Sequence, residues 1–491
     1  MTTNATPRLR RELGVLGLAA TGICSMVGAG INIVPFAIQR TVPGIGDWVL
    51  PAYAIAAVPA VLAALCYAAL GSAMPRAGGS YIYASRAIGP YAGFLASFSQ
   101  WFGLCMAIGV VSYVIPPFLR DIAVAAHWPS LAGTLAVPTT RLALALLFLW
   151  TFVLVNLRGV GAVATTLIPL MLLMFVCGGM VILTGATHQA ADYLTQVPSA
   201  SIAGAPSRGS FWSVVPAGAA VLFSSFIGFD AIAQAGGEAR DPSRSLPRAV
   251  GMAIITVGTF YFAFTAAVYH AVPWEHIAAA SLAGDVTAPG LLTPLVTPLI
   301  AIPMVAGAAV SLINDLPGML LGVSRLCFAW ADDGVFPKRL AAVHPRFHTP
   351  HIALLVSALL ATASILGGHL ADDFFVGVDI LVTAMLVNFL VMAVALLRLP
   401  THNPALAAEL RLLRTPGARR LVALPAIGLL GALLVAQTAR DLASPGPWYL
   451  HPTWIWVLVM ALGTAIYLRE TRALARRGGD LRVITATLPA E

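Results

Sequence analysis

The chain has 491 residues, 59% hydrophobic and 10% charged, with a mean hydropathy of +0.87 and a formal net charge of +8. A soluble domain carries about 25% charged residues, so the composition excludes a soluble globular protein, and apolar runs leave no room for a separate soluble domain. The basic residues form no domain of their own, which sets aside nucleic acid as a partner and leaves the lipid bilayer and its anionic head groups as their match.

Runs long enough to cross a hydrocarbon core of ~30 Å are predicted at 14–38, 47–73, 89–120, 141–157, 161–185, 214–237, 248–271, 295–325, 350–369, 373–397, 419–441 and 449–469. That makes twelve transmembrane helices, with only Arg158 and Gly159 between the fourth and fifth. Eleven is the alternative, if 141–185 were one bent helix, but that segment is too long for a single crossing. The opening "MTTNATPRLRREL" is polar and basic, and the apolar run behind it is too long for a signal peptide, so the first span is expected to be retained. With residues 1–13 placed inside, 23 Lys and Arg fall in the inner segments and 5 in the outer ones. The positive-inside rule then puts both termini in the cytoplasm, including a tail over 471–491. Lys338 is the only lysine, a bias that suggests a GC-rich bacterial genome and hence a bacterial cytoplasmic (inner) membrane.

Cys24, Cys66, Cys105, Cys177 and Cys327 are scattered in or near apolar spans, with neither disulfide nor metal-ligand spacing. An enzyme in the membrane would need convergent His, Cys or paired acids at one depth. A channel would need rings or filter loops, and a sensor a soluble output domain. None is visible, so a transporter without catalytic residues or cofactors is expected.

Two spans carry signs of interruption. The first reads "SMVGAGINIVP", with Gly28 and Gly30 flanking Ala29. The sixth reads "SSFIGFDAIAQ", with Gly228 and then Asp230. Unwound backbone is tolerated in lipid only where protein buries it or a cavity is lined by it. Five helices separate the two breaks, an odd number, so the second half runs in the opposite sense. Interrupted helices at matching positions of two inverted halves point to a transporter's binding site. The halves are 14–185 and 214–397, joined by an outer loop over 186–213. Residues 398–470, with spans 11 and 12, stand outside them. The fold class is an all-α polytopic membrane protein with a 5+5 inverted repeat and discontinuous helices 1 and 6.

Each half-helix presents free N–H groups at one end and free carbonyls at the other. N–H groups after Gly28–Ala29–Gly30 suit a carboxylate, and glycine allows close approach. The carbonyls of Phe226, Ile227 and Gly228 suit an ammonium group. A site with both suits an α-amino acid, with Phe226 and Phe229 as covers or gates. The candidate substrate site is Ser25, Met26, Gly28, Ala29, Gly30 and Ile31 with Phe226, Ile227, Gly228, Phe229 and Asp230. Asp230 has two readings: an N-cap for the second half of the sixth span, or a contact for a cationic substrate or a proton.

The passages "GAGI", "MPRAGGSYIYASRAIGPYAGFLASFSQWFG" (74–103), "FIGFDAIAQAGGEARDPSRSLPRAV" and "SRLCFAWADDGVFPKRLAAVHPRFHTP" (324–350) resemble those of the amino acid–polyamine–organocation transporter family, which has the leucine-transporter fold. The resemblance runs from about residue 11 to 400. It implies amino acid permeation by alternating access. The chain departs from the family pattern at Asn32, Ala69 and Asp332. Its fifth span also has no Lys or Arg, so the lysine that replaces a sodium ion in some proton-coupled relatives cannot be carried over.

Span 8 offers a substitute. Gly307, Ser311, Asn314, Asp315, Gly318 and Gly322 share a helical face. Ser311, Asn314 and Asp315 are candidates for a coupling ion, H+ or Na+, with the proton favoured; the alternative is a polar helix contact. The resemblance places span 8 beside the break of span 1. Span 1 itself has no acidic residue near its break, which favours amino acids over polyamines, while Asp230 keeps cationic amino acids and amines open. Proton-coupled symport is the favoured mechanism, and an amino acid/amine exchanger, a cationic amine (polyamine) transporter and a sodium-coupled symporter are the alternatives.

Overall fold

The computed structural model describes residues 9–197, 207–284, 286–371, 375–444 and 447–489. Arg8, the tip of the 186–213 loop and the start of the predicted tenth span lie outside the described residues.

The first predicted span is three pieces: α1 (Val15–Met26), α2 (Ala29–Asn32) and α3 (Val34–Thr41). Then come α4 (Val49–Ala73), the short α5 (Gly79–Ala87), α6 (Pro90–Ala125), α7 (Pro129–Ala136), α8 (Pro138–Leu157), α9 (Val160–Thr187) and α10 (Ala190–Gln196). Gly159 turns the chain between α8 and α9 with φ +104°, a conformation glycine adopts freely. The single bent helix therefore falls. The sixth span is also in pieces: α11 (Phe211–Phe223), a 3-10 turn at Ser224–Phe226, an unwound stretch and α12 (Ala231–Gln234).

The chain continues with α13 (Pro242–Ala271), α14 (Trp274–Ala283), α15 (Ala288–Leu292), α16 (Pro298–Asp332), α17 (His351–Ala371) and α18 (Phe375–His402). Last come α19 (Pro404–Ala408), α20 (Pro416–Ala443), α21 (Pro452–Arg476) and α22 (Leu481–Ala486). Proline in the first turn opens α6, α8, α13, α16, α20 and α21, where its missing N–H costs nothing. The last span thus begins at Pro452, later than the predicted 449.

Among the described residues, eleven helical segments are long and apolar enough to cross a membrane, and Val15–Met26 is a shorter apolar helix. The chain is a polytopic helical membrane protein. Inside it, α6 packs along α16 and α18, and α1 is enclosed by α9, α13 and α16. Leu421, Val435 and Leu458 on the peripheral α20 and α21 face outward, as suits a hydrocarbon solvent.

The arginine-rich end is closed. Leu13 pairs with Ala239, and Ala77 with Ala235, as isolated β-bridges that strap both the N-terminal segment and the α4–α5 connection to the end of α12. Arg325 holds Glu238 through Nε (2.9 Å) and Nη2 (2.7 Å), with both side chains 1% exposed. Arg86 grips Asp333 through both Nη atoms, that from Nη2 at 3.0 Å, and this pair is buried as well. At the opposite end a cavity of about 630 Å³ enters between α3, α11, α18 and α20.

Candidate functional site

The two interruptions meet. Gly228, with φ +135°, brings its Cα against the carbonyl of Ser25, leaving no room for a side chain. Ser225 Oγ donates to the Gly30 carbonyl at 2.9 Å, as does Tyr53 Oη at 3.3 Å. Tyr261 Oη donates to the Met26 carbonyl. Both edges of the first break are thus held by hydroxyls from α4, α13 and the sixth span. Ser25 turns its Oγ to the Thr21 carbonyl at 2.7 Å, and Ile31 is buried beside it. The side chain of Ala29 lies outside the described residues.

The chain emerges from α1 with the Gly28 N–H directed to the Met26 carbonyl at 3.2 Å, then starts α2 at Ala29. The first N–H groups of a helix have no partner within it. At the sixth break the Gly228 carbonyl accepts the Ala231 N–H at 3.1 Å, whereas no hydrogen bond reaches the Phe226 and Ile227 carbonyls among the described residues. The first N–H groups of α2 and the unbonded carbonyls of Phe226 and Ile227 thus belong to two breaks that Gly228 and Ser25 bring into contact.

The middle of the α16 face predicted from spacing lies against α1, whereas Gly307 abuts Cys177 on α9 and Gly322 faces Gln234 of α12. Gly318 abuts Ser25, and Asn314 Nδ2 lies 2.9 Å from Cys24 Sγ. Asn32 Nδ2 donates to Ser311 Oγ (2.9 Å) and to the Gly28 carbonyl (3.1 Å). Asp315 reaches the break itself, its carboxylate against the Cα of Gly28. It is 4% exposed and, among the described residues, makes no hydrogen bond or ion pair; its Oδ1 and Asn314 Oδ1 are both buried without a donor. An unpaired charge in so apolar a place is costly. The absence of an acid near the first break, read along the chain, therefore fails in space: α16 supplies one. Span 1 could not reveal this, because Asp315 comes from another helix.

Asp230 is fully buried. Its side chain makes no N-cap bond to α12. It accepts instead from Gln100 Nε2 on α6 and, through Oδ1, from the Gly228 N–H at 3.2 Å. The N-cap reading is replaced by a brace across the break. Gln234 extends the network from Gln100 to Ser80 Oγ (2.7 Å), Ser80 pairs with Tyr67 Oη (2.7 Å), and Asn388 donates to Tyr67. Among the described residues, no cationic side chain enters this network.

Phe226 and Phe229 part company. Phe226 packs edge-on to Tyr53 (5.6 Å) and beside Tyr261 (5.9 Å). Phe229 stacks on Phe389 at 5.0 Å and meets Tyr67 edge-on. Both rings lie inside aromatic clusters contributed by α4, α13 and α18. Tyr53, Tyr261, Gln100 and Asn32 escaped the sequence reading, because a lone polar residue within an apolar run does not show which break it will meet. Asn32 left a trace, as a departure from the family's apolar pattern.

Outside the membrane-spanning segments, burial pushes the Glu238 carboxyl above its usual range, and Arg325 pulls it partly back.

Residues 13–438 match the amino acid permease family model. The chain belongs to the amino acid permease family. It is a transporter and not an enzyme. A Mycobacterium tuberculosis protein described as an uncharacterized transporter is 30% identical over 73% of the permease and 76% of its own length. A branched-chain amino acid permease of Bacillus subtilis is 24% identical over 73% and 76%. The human cationic amino acid transporter 4 is 27% identical over 72% of the permease and 54% of its own length.

Proposed function

We propose that the permease carries an amino acid across the cytoplasmic membrane by alternating access, as a cation-coupled symporter. It crosses twelve times, counting α1–α3 as a discontinuous first span and α11–α12 as a discontinuous sixth. The halves 14–185 and 214–397 are inverted repeats, and the closed, arginine-rich end faces the cytoplasm.

The observation that carries this reading is the meeting of the two interruptions, with N–H groups on one side and open carbonyls on the other. The cavity at the arginine-poor end descends to Ile33, Val34 and Ser224, at the rims of both breaks. With the opposite end sealed by Arg325–Glu238 and Arg86–Asp333, this arrangement fits an outward-facing state.

Asp315 supplies the coupling. A substrate carboxylate docking after Gly28 meets the carboxylate of Asp315, and like charges so close in a low dielectric repel strongly. Uptake of one positive charge by Asp315 removes the repulsion, so ion and amino acid bind together. A proton is the favoured ion. Sodium is the second reading, because the donor-free oxygens of Asn314 and Asp315 offer two ligands from adjacent residues. The names of the relatives suggest branched-chain or cationic amino acids as substrates.

The test is uptake into proteoliposomes of labelled amino acids and their decarboxylated amines, under an inward proton gradient without sodium. Amino acid entry without amine entry supports the site at Gly28–Gly30. Entry of amines alone overturns it. Entry only after sodium is added shifts the coupling to that ion.

A further inference from the structure

A second cavity of about 130 Å³ opens at the arginine-rich end, far from the breaks. Its lining includes Arg10 from the N-terminal segment, Arg158 and Gly161 from the α8–α9 turn, Glu238 after α12, and Arg346 with His348 from the α16–α17 connection. None of the three guanidinium groups makes an ion pair or hydrogen bond among the described residues, although Arg346 lies over the Phe347 ring. Arginines normally scatter over such a surface. Here three segments distant in sequence bring one each to a single hollow.

The hollow also receives the N-terminus of α9, a helix of 28 residues. Unpaired N–H groups and the helix dipole favour an anion there. One carboxylate already responds: Glu12 Oε2 lies over Gly161, the second residue of the helix. The other acid on the wall, Glu238, is engaged by Arg325. The remaining charge balance is cationic.

We infer that this cavity binds a phosphate group, carried by an anionic lipid at the inner surface of the membrane. Arg158 ends a membrane span, which puts the cavity at head-group depth, where basic pockets between helices take such groups. Arginine suits the task because its planar fork matches phosphate oxygens. The site reinforces ties already present, since Arg325 of α16 holds Glu238 and Thr349 Oγ1 donates to the Leu157 carbonyl at 3.1 Å. Arg10 belongs to the N-terminal segment bonded to Glu238 and Arg240, through the Leu13 N–H (2.9 Å) and the Leu13 carbonyl (2.8 Å). Arg158 and Arg346 belong to α8–α9 and the α16–α17 connection. A phosphate held by all three ties the end of the sixth span to those helices and favours the closed inner end. The inference rests on the cytoplasmic placement of the arginine-rich end in the proposed function, but not on the coupling reading.

The test uses the full-length protein in detergent, titrated with phosphatidylglycerol, phosphatidylcholine or inorganic phosphate while thermal stability is followed. Phosphatidylglycerol is expected to raise the unfolding midpoint and phosphatidylcholine to leave it unchanged. In Arg158→Gln/Arg346→Gln the apparent affinity for phosphatidylglycerol should fall roughly tenfold or more. Arg476→Gln/Arg477→Gln, at the same end but outside the cavity, should keep it. Stabilisation by inorganic phosphate that the first pair of changes also abolishes, and that blocks the effect of the lipid, keeps the phosphate site but makes its occupant soluble. Equal stabilisation by both lipids, an unchanged affinity in Arg158→Gln/Arg346→Gln, or no stabilisation by any of the three overturns the inference.

Discussion

The Asp315 carboxylate lies against the Cα of Gly28, in the space that a side chain at residue 28 would fill. Glycine there admits the carboxylate of α16 to the break in the first span. Gly28→Ala is therefore expected to push α1 and α16 apart and to lower uptake by roughly tenfold to a hundredfold. Gly28→Ala/Asp315→Ala should regain thermal stability without regaining uptake, a non-additive result expected of residues in contact. Simple additivity of the two changes would count against the contact.

Asp315→Asn keeps the shape and removes the charge. Gradient-driven accumulation should be lost while exchange of labelled for unlabelled substrate persists. Accumulation that still follows the imposed gradient in this variant would remove Asp315 from the coupling step.

Glu238→Ala leaves Arg325 buried without its partner, at a cost of about 3–5 kcal/mol. Thermal unfolding in detergent should show a large loss, much of it recovered in Glu238→Leu/Arg325→Met, where no charge is left behind. A mild effect of the single change would mean that water reaches the pair.

Gln100→Leu strips Asp230 of its side-chain donor and leaves only the Gly228 N–H among its neighbours. The expected penalty is about 1–3 kcal/mol of stability. It should shrink when Asp230→Asn is added, since a neutral amide tolerates the loss better. Equal penalties with and without Asp230→Asn would argue that Gln100 acts through packing alone.

The C-terminal segment places three carbonyls on the closed end: Thr487 on Arg86 Nε (3.2 Å), Pro489 on Arg76 Nε (2.8 Å) and Ala486 on Asn403 Nδ2 (2.9 Å). Truncation after Asp480 exposes those donors again. The unfolding midpoint should drop by a few degrees, because each such bond contributes about 1 kcal/mol, while substrate affinity measured from outside stays the same. An unchanged midpoint would show that the segment rests on the surface without adding to it.

The amino-acid sequence by itself determined the lipid-solvated class, the positions of the spans to within one or two helical turns and the two places where helices break. Hydrophobic run length and glycine act locally, so a linear reading captures them. It also marked the polar face of α16, since helical periodicity is local too. Only the tertiary structure decided what each break meets. Asp315 reaches Gly28, Asp230 binds Gln100 instead of capping α12, and Phe226 and Phe229 enter different aromatic clusters. Those outcomes depend on helix rotation and depth across hundreds of residues of separation. In a chain where almost every neighbour is apolar, nothing near a polar residue in the sequence says which distant partner will satisfy it.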